Sequence, residues 1–276
     1  MIHKRNDNFK KKSSGKYPGK WKDASIKSSG KKDDVKPRRK LKQGVSPADR
    51  FGYKLPDWML NQQAETPPIS SSTVKDLLAR FDFPQDDLVV SQYVDHLLLV
   101  AEFNKEINLV SRTSVDNVLL HSLWESIIPA KVFDWSGIKS VMDIGTGGGF
   151  PGTPLAISLP ETEFTLLDSR RAKTLALRSI VSEIKLENVE VIHERAEIFH
   201  EHDDRKFDLV TMKAVGLVKE AIPWVESLLK PGGYFLVWKG PEGLREFKSV
   251  DNSKWKIEKT IPIFPHRSVL VLKQLV

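Results

Sequence analysis

The sequence contains no cysteine among its 276 residues. This absence excludes disulfide bonds, thiolate metal sites and cysteine nucleophiles, and it agrees with a reducing cytosol. The chain also lacks an apolar run near the roughly 20 residues that cross a bilayer, since a run such as Leu97–Ala101 is far too short. Its first residues are charged and polar, unlike a secretory signal peptide. We therefore expect a cytoplasmic protein without a membrane segment.

Positive charge is concentrated at the start of the chain. Residues 1–54 contain 18 of the 43 lysines and arginines but only 5 of the 36 acidic residues, which gives them a local net charge of +13. Because the whole chain has a net charge of +7, residues 55–276 carry a net charge of −6. Non-specific attraction to nucleic acid is therefore expected mainly from the first 54 residues, or from a local patch that a net count does not show.

Composition and periodicity divide the sequence into three regions. Residues 1–72 combine a basic tail with a linker, and we expect the tail to be disordered because it has little apolar surface to bury. Apolar residues at helical spacing predict a small helical subdomain over residues 73–139. Short β-rich segments alternate with helical ones over residues 140–276, which predicts an α/β core with a doubly wound, mostly parallel sheet.

The predicted elements have the following bounds. Helices are expected at residues 73–81, with Thr73 as the cap, and at 85–104, 114–133, 151–158, 172–184 and 215–229. Strands are expected at residues 140–144, 163–168, 189–193, 207–212 and 234–239. Residues 255–263 and 268–275 have the pattern of two further strands without a long helix between them, so we expect an antiparallel hairpin at the end of the core.

The strongest motif is a glycine-rich turn between a strand and a helix, Val141-Met-Asp-Ile-Gly-Thr-Gly-Gly-Gly-Phe-Pro-Gly152. Glycines 145, 147 and 149 permit positive φ and let backbone amides approach a ligand closely. Because Asp143 precedes the first glycine by two residues, the run has the form D-x-G-x-G-x-G that methyltransferases favour. Gly147, Gly149 and Gly152 also fit the dinucleotide pattern G-x-G-x-x-G, although that turn would start two residues beyond the strand.

A second signal is Asp168, which ends the next predicted strand 19 residues after Gly149. In a fold of this kind, such a carboxylate can accept hydrogen bonds from both ribose hydroxyls of a bound nucleoside. An isolated aspartate before serine more often caps the following helix. The glycine turn upstream favours the ribose interpretation.

These motifs resemble a known family, the bacterial small-subunit ribosomal RNA guanine-N7 methyltransferases, once called glucose-inhibited division protein B. The resemblance covers about residues 74–275 and excludes the basic tail. The segments that carry it are Phe103-Asn-Lys-Glu-Ile-Asn-Leu109, residues 143–155, Leu166-Leu-Asp-Ser169, Arg195-Ala-Glu197-Ile-Phe199, Lys230-Pro-Gly-Gly233 and Trp238-Lys-Gly240.

The resemblance implies a Rossmann-like class I methyltransferase fold and methylation of guanine N7 in 16S ribosomal RNA, with S-adenosyl-L-methionine as cofactor. It implies cofactor contacts on the glycine turn, beside the adenine and after the fourth strand. Those residues are Gly145, Gly147, Gly149, Phe150, Asp168, Ala196, Glu197 and Lys213. The expected partner is 16S ribosomal RNA or the small ribosomal subunit, and we expect a monomer without a metal or a membrane partner.

Two positions depart from the family pattern. The family usually has arginine where this chain has Lys213, and lysine cannot make the planar two-pronged contact of a guanidinium. Whether Lys213 contacts the cofactor or the RNA is open, and the competing interpretation is an exposed lysine at a strand end. The family also places its histidine one residue nearer the serine than His121 in His121-Ser-Leu-Trp-Glu-Ser126, so His121 can also be an ordinary helix-face residue.

No catalytic acid or base is expected, because the N7 lone pair of guanine is free at neutral pH. Catalysis would then consist of alignment and exclusion of water. The candidate RNA contacts are Asn104, Asn108, Lys239 and Arg267, beside Lys213. Each has a structural alternative: the asparagines can brace a helix-to-loop transition, Lys239 can be solvated, and Arg267 can pair with an acid.

Three other functions fit parts of the sequence. The first is a methyltransferase of a small molecule or protein, against which the segment around Asn104 argues. The second is a non-enzymatic RNA-binding protein with a degenerate methyltransferase domain, against which the intact glycines and Asp168 argue. The third is nicotinamide-dependent redox chemistry at the alternative glycine register.

The basic tail generates a testable prediction. Aromatic residues lie among its lysines, as in Lys16-Tyr-Pro-Gly-Lys-Trp-Lys22, and this composition can neutralise phosphates and stack on bases. A solvated tail without a binding role and an organellar targeting peptide are the alternatives. If the tail tethers the enzyme to ribosomal RNA, deletion of residues 1–54 will lower RNA affinity and flatten its dependence on salt concentration. An unchanged slope in a salt titration would eliminate the tether.

Overall fold

A seven-stranded sheet organises the part of the chain that the structure describes. The structure is a computed structural model that describes residues 54–61, 64–111, 114–251, 253–264 and 266–276. Residues 1–53 of the predicted basic tail therefore lie outside the described residues. The strands are β1 (Ser140–Ile144), β2 (Glu163–Asp168), β3 (Val189–His193), β4 (Phe207–Lys213), β5 (Leu229–Lys239), β6 (Trp255–Phe264) and β7 (Arg267–Gln274).

The strand order is β3-β2-β1-β4-β5-β7-β6. The first five strands pair in parallel, and β7 pairs antiparallel with both β5 and β6. The strand order reverses between β1 and β4. In open α/β sheets, ligands bind at such a reversal, beyond the carboxyl ends of the strands. The fold is the Rossmann-like class I methyltransferase fold, with the predicted terminal hairpin.

Helices cover both faces of the sheet. They are α1 (Asp57–Leu60), α2 (Ser71–Ala79), α3 (Asp87–Phe103), α4 (Val115–Val132), α5 (Gly152–Ser158), α6 (Arg171–Glu183), α7 (Phe199–His202), α8 (Val218–Leu228) and α9 (Gly243–Phe247). Side chains alternate along each strand, so β1 sends Val141 to one buried cluster and Met142 to the other. Burial on both faces explains why the central strands are almost wholly apolar.

The helices before the sheet pack on one face of it. Two of them have side-chain caps at their amino ends: Ser70 accepts from the amide of Thr73 at 3.2 Å before α2, and Asp86 accepts from the amide of Val89 at 3.0 Å before α3. From α3, the Tyr93 hydroxyl lies 2.6 Å from the Ser158 hydroxyl at the end of α5. Apolar residues from these helices and from the sheet therefore form one continuous cluster.

Most predicted elements are confirmed, and the differences have local causes. The cap of α2 is Ser70 rather than the expected Thr73, so that helix begins two residues early and ends at Ala79. The predicted helix at 215–229 begins only at Val218, because Ala214 and Gly216 adopt positive φ values of 59° and 51°, which helices do not permit. Strand β5 begins at Leu229, five residues before its predicted start, because Leu229 already pairs with Phe207.

Three short helices, α1, α7 and α9, were not predicted. Each has four or five residues, too few for apolar periodicity to be seen in sequence. Packing also begins before residue 73, where the sequence analysis places the start of the helical subdomain. Leu55 is buried, the Trp58 ring lies 5.4 Å from that of His121, and Asn117 donates to the Thr66 hydroxyl at 2.8 Å.

Within the described ranges, we find no helix with the length and apolar character that crossing a membrane requires.

Two adjacent leucines in α3 test how this helix packs. Leu97 is fully buried, whereas the side chain of Leu98 is 47% exposed. Leu97→Ala should lower the free energy of unfolding by about 2–5 kcal/mol through lost burial and a cavity, and Leu98→Ala by less than about 1 kcal/mol. The two substitutions have the same intrinsic effect on helix formation, so denaturant titrations compare packing alone. Equal losses would contradict the described packing of α3.

Candidate functional site

The glycine-rich turn follows β1 at the carboxyl edge of the sheet. Gly145, Gly147 and Gly149 have φ values of 68°, 57° and 88°, a region that residues with a Cβ rarely adopt. The amides of Gly145 and Thr146 donate to the Leu167 carbonyl of β2 at 2.8 and 3.0 Å. The turn therefore begins at Gly145, directly after the strand, which is the methyltransferase register and not the dinucleotide one.

Asp143 fixes the far end of the turn from inside the core. Its carboxylate accepts from the Thr211 hydroxyl at 2.7 Å and from the Gly152 amide at 3.2 Å. Complete burial raises the pKa of Asp143 to about 6, against the opposing influence of its hydrogen bonds and of Lys213. A Cβ at residue 152 would lie 2.2 Å from Leu166 Cδ2 and 2.9 Å from an Asp143 carboxylate oxygen, so glycine permits this close approach.

Asp168 fixes the middle of the turn from β2. Its Oδ2 accepts from the Gly147 amide at 3.0 Å, and its Oδ1 accepts from the Arg170 amide at 2.9 Å. The N-cap position of α6 is Arg170, so Asp168 is not the helix cap that the alternative interpretation proposes. Its side chain is nearly buried directly behind the turn.

His96 supports the turn from the opposite side, a role that sequence reasoning missed. This fully buried residue of α3 has its Nε2 2.9 Å from the Gly148 carbonyl oxygen, so Nε2 carries a proton and donates. Burial lowers the pKa of His96 to about 4, which keeps the ring neutral near pH 7. Its ring also contacts Phe150, with 4.8 Å between ring centroids. In sequence, His96 is one of several polar residues in a largely apolar helix, so nothing distinguishes it there.

Asn104 organises the loop after α3. Its Oδ1 accepts from the amides of Leu109 and Val110 at 2.8 and 2.9 Å, and its side chain is buried. This is the bracing role that the sequence analysis gives as the alternative to RNA contact. Asn108, in the same loop, is exposed.

Two cavities open beside the glycine turn. The first, of about 270 Å³, is lined by residues of the loop after α3 and of the turn, including Leu109, Gly145, Gly147, Phe150, Lys173 and Lys213. The second, of about 120 Å³, is lined by Gly145, Ser169, Ala196, Glu197 and Val215. Gly145 borders both. The structure thus brings six of the eight predicted cofactor residues to the cavity walls, whereas Gly149 and Asp168 line neither of these two cavities.

Lys213 is not the exposed strand-end lysine of the alternative interpretation. Its ammonium lies 3.1 Å from Glu125 Oε2, 3.1 Å from the Ser122 hydroxyl and 5.4 Å from the centroid of the Phe150 ring. Only 14% of its side chain is exposed. Burial lowers the pKa of Lys213, and the Glu125 carboxylate opposes that shift. Sequence reasoning missed Glu125 as a site residue.

A third cavity, of about 220 Å³, lies on the other side of Lys213. Its walls include Lys213, Ala214, Trp238, Lys239, Glu242 and Arg267. Arg267 pairs with Glu125, as its structural alternative predicts, but its side chain remains 53% exposed. Lys239 is not solvated: it lies 2.9 Å from Glu246 Oε2 and donates to the Gly216 carbonyl at 2.9 Å.

His121 lies on α4 below this cluster. Its Nδ1 is 2.8 Å from the Asn117 carbonyl oxygen of the preceding turn, and its ring packs between Trp58 and Phe264. Partial burial lowers the pKa of His121. This environment is that of a packed helix-face residue.

The arrangement has the chemistry of a nucleoside-type site. The glycines let a ligand approach the backbone closely, and Asp168 lies behind the turn, so the site suits a polar ligand. Phe150 and Val215 supply apolar surface for a ring. A Cβ at Gly147 would lie 3.3 Å from the Leu109 carbonyl oxygen, so the absence of a side chain keeps the space between the turn and this loop open. Lys213 and Arg267, which both pair with Glu125, form the side of the site toward the third cavity.

Comparisons with known proteins place these features in a family. A family model described as rRNA small subunit methyltransferase G (GidB) matches residues 89–270. The Ribosomal RNA small subunit methyltransferase G of Coxiella burnetii is 30% identical over 214 residues, which are 78% of this chain and 86% of that protein. The protein of the same name from Hydrogenovibrio crunogenus is 34% identical over 172 residues, 62% of this chain and 77% of that one.

Among solved structures, P. horikoshii TYW2 in complex with MeSAdo is similar with a TM-score of 0.45. Its sequence identity is 17%, and the match covers 56% of this chain and 63% of that chain.

The contact between His96 and Gly148 predicts a pH dependence of stability. Because the pKa of His96 is about 4 in the folded state and 6.5 for a histidine without such burial, the unfolded chain binds more protons between these pH values. The stability that the neutral, buried His96 contributes is therefore fully present above pH 6.5 and is lost as the pH falls through 4. His96→Gln keeps a hydrogen-bond donor but has no group that titrates in this range. The amount by which its free energy of unfolding lies below that of wild type should therefore shrink by about 3 kcal/mol from pH 7 to pH 4.

Denaturant titrations at several pH values measure this difference. The comparison with wild type is needed because the raised pKa of Asp143 has the opposite effect: its contribution is lost as the pH rises from about 4 to about 6. His200→Gln, at an exposed site on α7, is the matched control. A deficit of His96→Gln that stays constant over this range would contradict a buried neutral His96.

Proposed function

The chain belongs to the rRNA small subunit methyltransferase G family, and on that premise we propose that it methylates RNA of the small ribosomal subunit with S-adenosyl-L-methionine as cofactor. The observation that carries the proposal is the glycine turn held by Asp168, with open cavities on both sides of Gly145. Such a turn suits a ligand with a nucleoside at one end and a charged amino acid at the other.

In this proposal, different residues around Gly145 contact different parts of the cofactor. Asp168 would accept hydrogen bonds from the ribose hydroxyls, as carboxylates at the end of β2 do in related nucleotide sites. Ala196 and Glu197, in the smaller cavity, would border the adenine. Gly145, Gly147 and Phe150 would contact the cofactor along the turn, with Gly149 shaping that turn, and Lys213 would lie at its far end.

We propose guanine N7 of 16S ribosomal RNA as the acceptor, as the family resemblance implies. S-adenosyl-L-methionine, when bound, would supply an electrophilic methyl group: the N7 lone pair would form the new bond to carbon, the bond from carbon to sulfur would break, and no proton would leave the base. The protein therefore needs no general base and contributes alignment and a site that excludes water. This agrees with a site in which the nearest acids, Asp143, Asp168 and Glu125, are all engaged with donors or cations.

RNA contact would come from the side of the third cavity. Arg267 is half-exposed and suits a phosphate, and Lys239 borders the same cavity. Asn108 is exposed on the loop that Asn104 braces, so Asn104 would act through the shape of this loop. The target guanine has to be unstacked to reach such a site.

Methyl transfer to isolated small ribosomal subunits that lack the modification tests the function. Full-length protein is mixed with labelled S-adenosylmethionine and these subunits, and the RNA is digested and analysed for methylated nucleosides. The proposal predicts label in 7-methylguanosine at one position. Label in another nucleoside would refute guanine N7 as the methyl acceptor, and the absence of label from the RNA would refute RNA methylation by this protein.

Asp168 gives a prediction for cofactor affinity. Asp168→Asn keeps the shape and an acceptor for the Gly147 amide but removes the charge, and it should weaken S-adenosylmethionine binding about 10- to 100-fold. Asp208→Asn is the matched control, because Asp208 pairs with Lys230 at the other end of the sheet. Equilibrium dialysis with labelled cofactor measures both. Equal affinity of the Asp168 variant and wild type would remove Asp168 from the proposed site.

A further inference from the structure

Glu125 is an acid buried inside the molecule, with a cation on each of its oxygens. It lies on α4, its side chain is 2% exposed, Oε2 is 3.1 Å from Lys213 Nζ, and Oε1 pairs with Arg267. Its backbone carbonyl accepts from the Trp238 indole at 3.0 Å, which fixes this turn of α4 against β5. A buried carboxylate is costly unless it is paired, so both cations stabilise its charge.

The position of Lys213 makes this pairing relevant to function. Lys213 borders both the cavity at the glycine turn and the third cavity, and these cavities also share Ala214. Its ammonium therefore lies at the wall between the space proposed for the cofactor and the space toward the RNA. Glu125 and the Ser122 hydroxyl hold it there from α4.

The charges around this pair show what Glu125 prevents. Lys213 faces Glu125, Arg267 and Asp143, and Glu125 faces Lys213, Arg267 and, on its own helix, His121. Burial and Arg267 both lower the pKa of Lys213, whereas Glu125 and Asp143 raise it. Without the Glu125 charge, Lys213 and Arg267 would repel each other, and burial would favour the uncharged form of Lys213.

We propose that Glu125 is a positioning residue for methyl transfer, which holds Lys213 charged and in place at the wall between the two cavities while it orients Arg267 toward the RNA side. This inference rests on the proposed function. Glu125 acts through the two cations and contacts neither reactant. The helical region before the sheet therefore contributes to the reaction geometry through one carboxylate.

The pH profile of methyl transfer tests this role. With full-length protein and unmodified small ribosomal subunits, wild type should keep its kcat/KM from pH 7 to 9. In Glu125→Gln, which keeps the shape but not the charge, kcat/KM should fall as Lys213 deprotonates, by about tenfold per pH unit above its pKa. In Glu125→Gln/Lys213→Arg the profile should be level again, because a guanidinium stays charged. Glu125→Asp should retain most of the activity.

Several outcomes overturn the proposal. A Glu125→Gln protein with the wild-type profile, or with a loss that is equal at every pH, shows that its charge does not act through Lys213. If Glu125→Gln does not fold, Lys213→Gln decides: the proposal predicts at least tenfold lower kcat/KM, and wild-type activity refutes it. Asp208→Asn, which breaks the pair with Lys230 far from the site, controls for loss of an ion pair. Absence of methyl transfer by wild type would instead refute the proposed function.

Discussion

The candidate site depends on a backbone turn whose conformation is fixed by two buried carboxylates. Asp143 holds Gly152 at the end of the turn and Asp168 holds Gly147 at its middle, each through a hydrogen bond to a backbone amide. Both acids come from adjacent parallel strands, so the register of β1 against β2 sets the shape of the site. A charged acceptor fixes an amide more strongly than a neutral one, which keeps the turn rigid and its other groups free for a ligand.

The helices before the sheet complete the site that the turn begins. His96 bonds the Gly148 carbonyl, Asn104 shapes the loop opposite Gly147, and Glu125 holds Lys213. Each is a buried polar side chain that the helices bring to the carboxyl edge of the sheet. Each has at least one partner, a backbone group or an ion pair, because burial without any partner would cost stability. The helical region is thus part of the site as well as a cover for the sheet.

The sequence predicted the sheet and the turn because both have strong local signals. These signals are the continuous apolar strands, the glycine spacing after Asp143 and the number of residues from the glycines to Asp168. Each can be recognised within a short stretch of sequence, without knowing which distant residues it contacts in the fold. His96 and Glu125 have no such signal: His96 acts on a residue 52 positions away, and Glu125 pairs with Arg267 across 142 positions. The burial of Lys213 was not predicted either, because the residues that surround its ammonium, Glu125 and Phe150, are distant from it in sequence.

The central claim, that the turn at Gly145 binds S-adenosylmethionine, is tested most directly by calorimetric titration of the full-length protein. The account predicts one-to-one binding of S-adenosylmethionine and competition by its demethylated product, S-adenosylhomocysteine, with no response to a nicotinamide dinucleotide. Heat release on titration with the dinucleotide, or none with S-adenosylmethionine even when small ribosomal subunits are present, would contradict it.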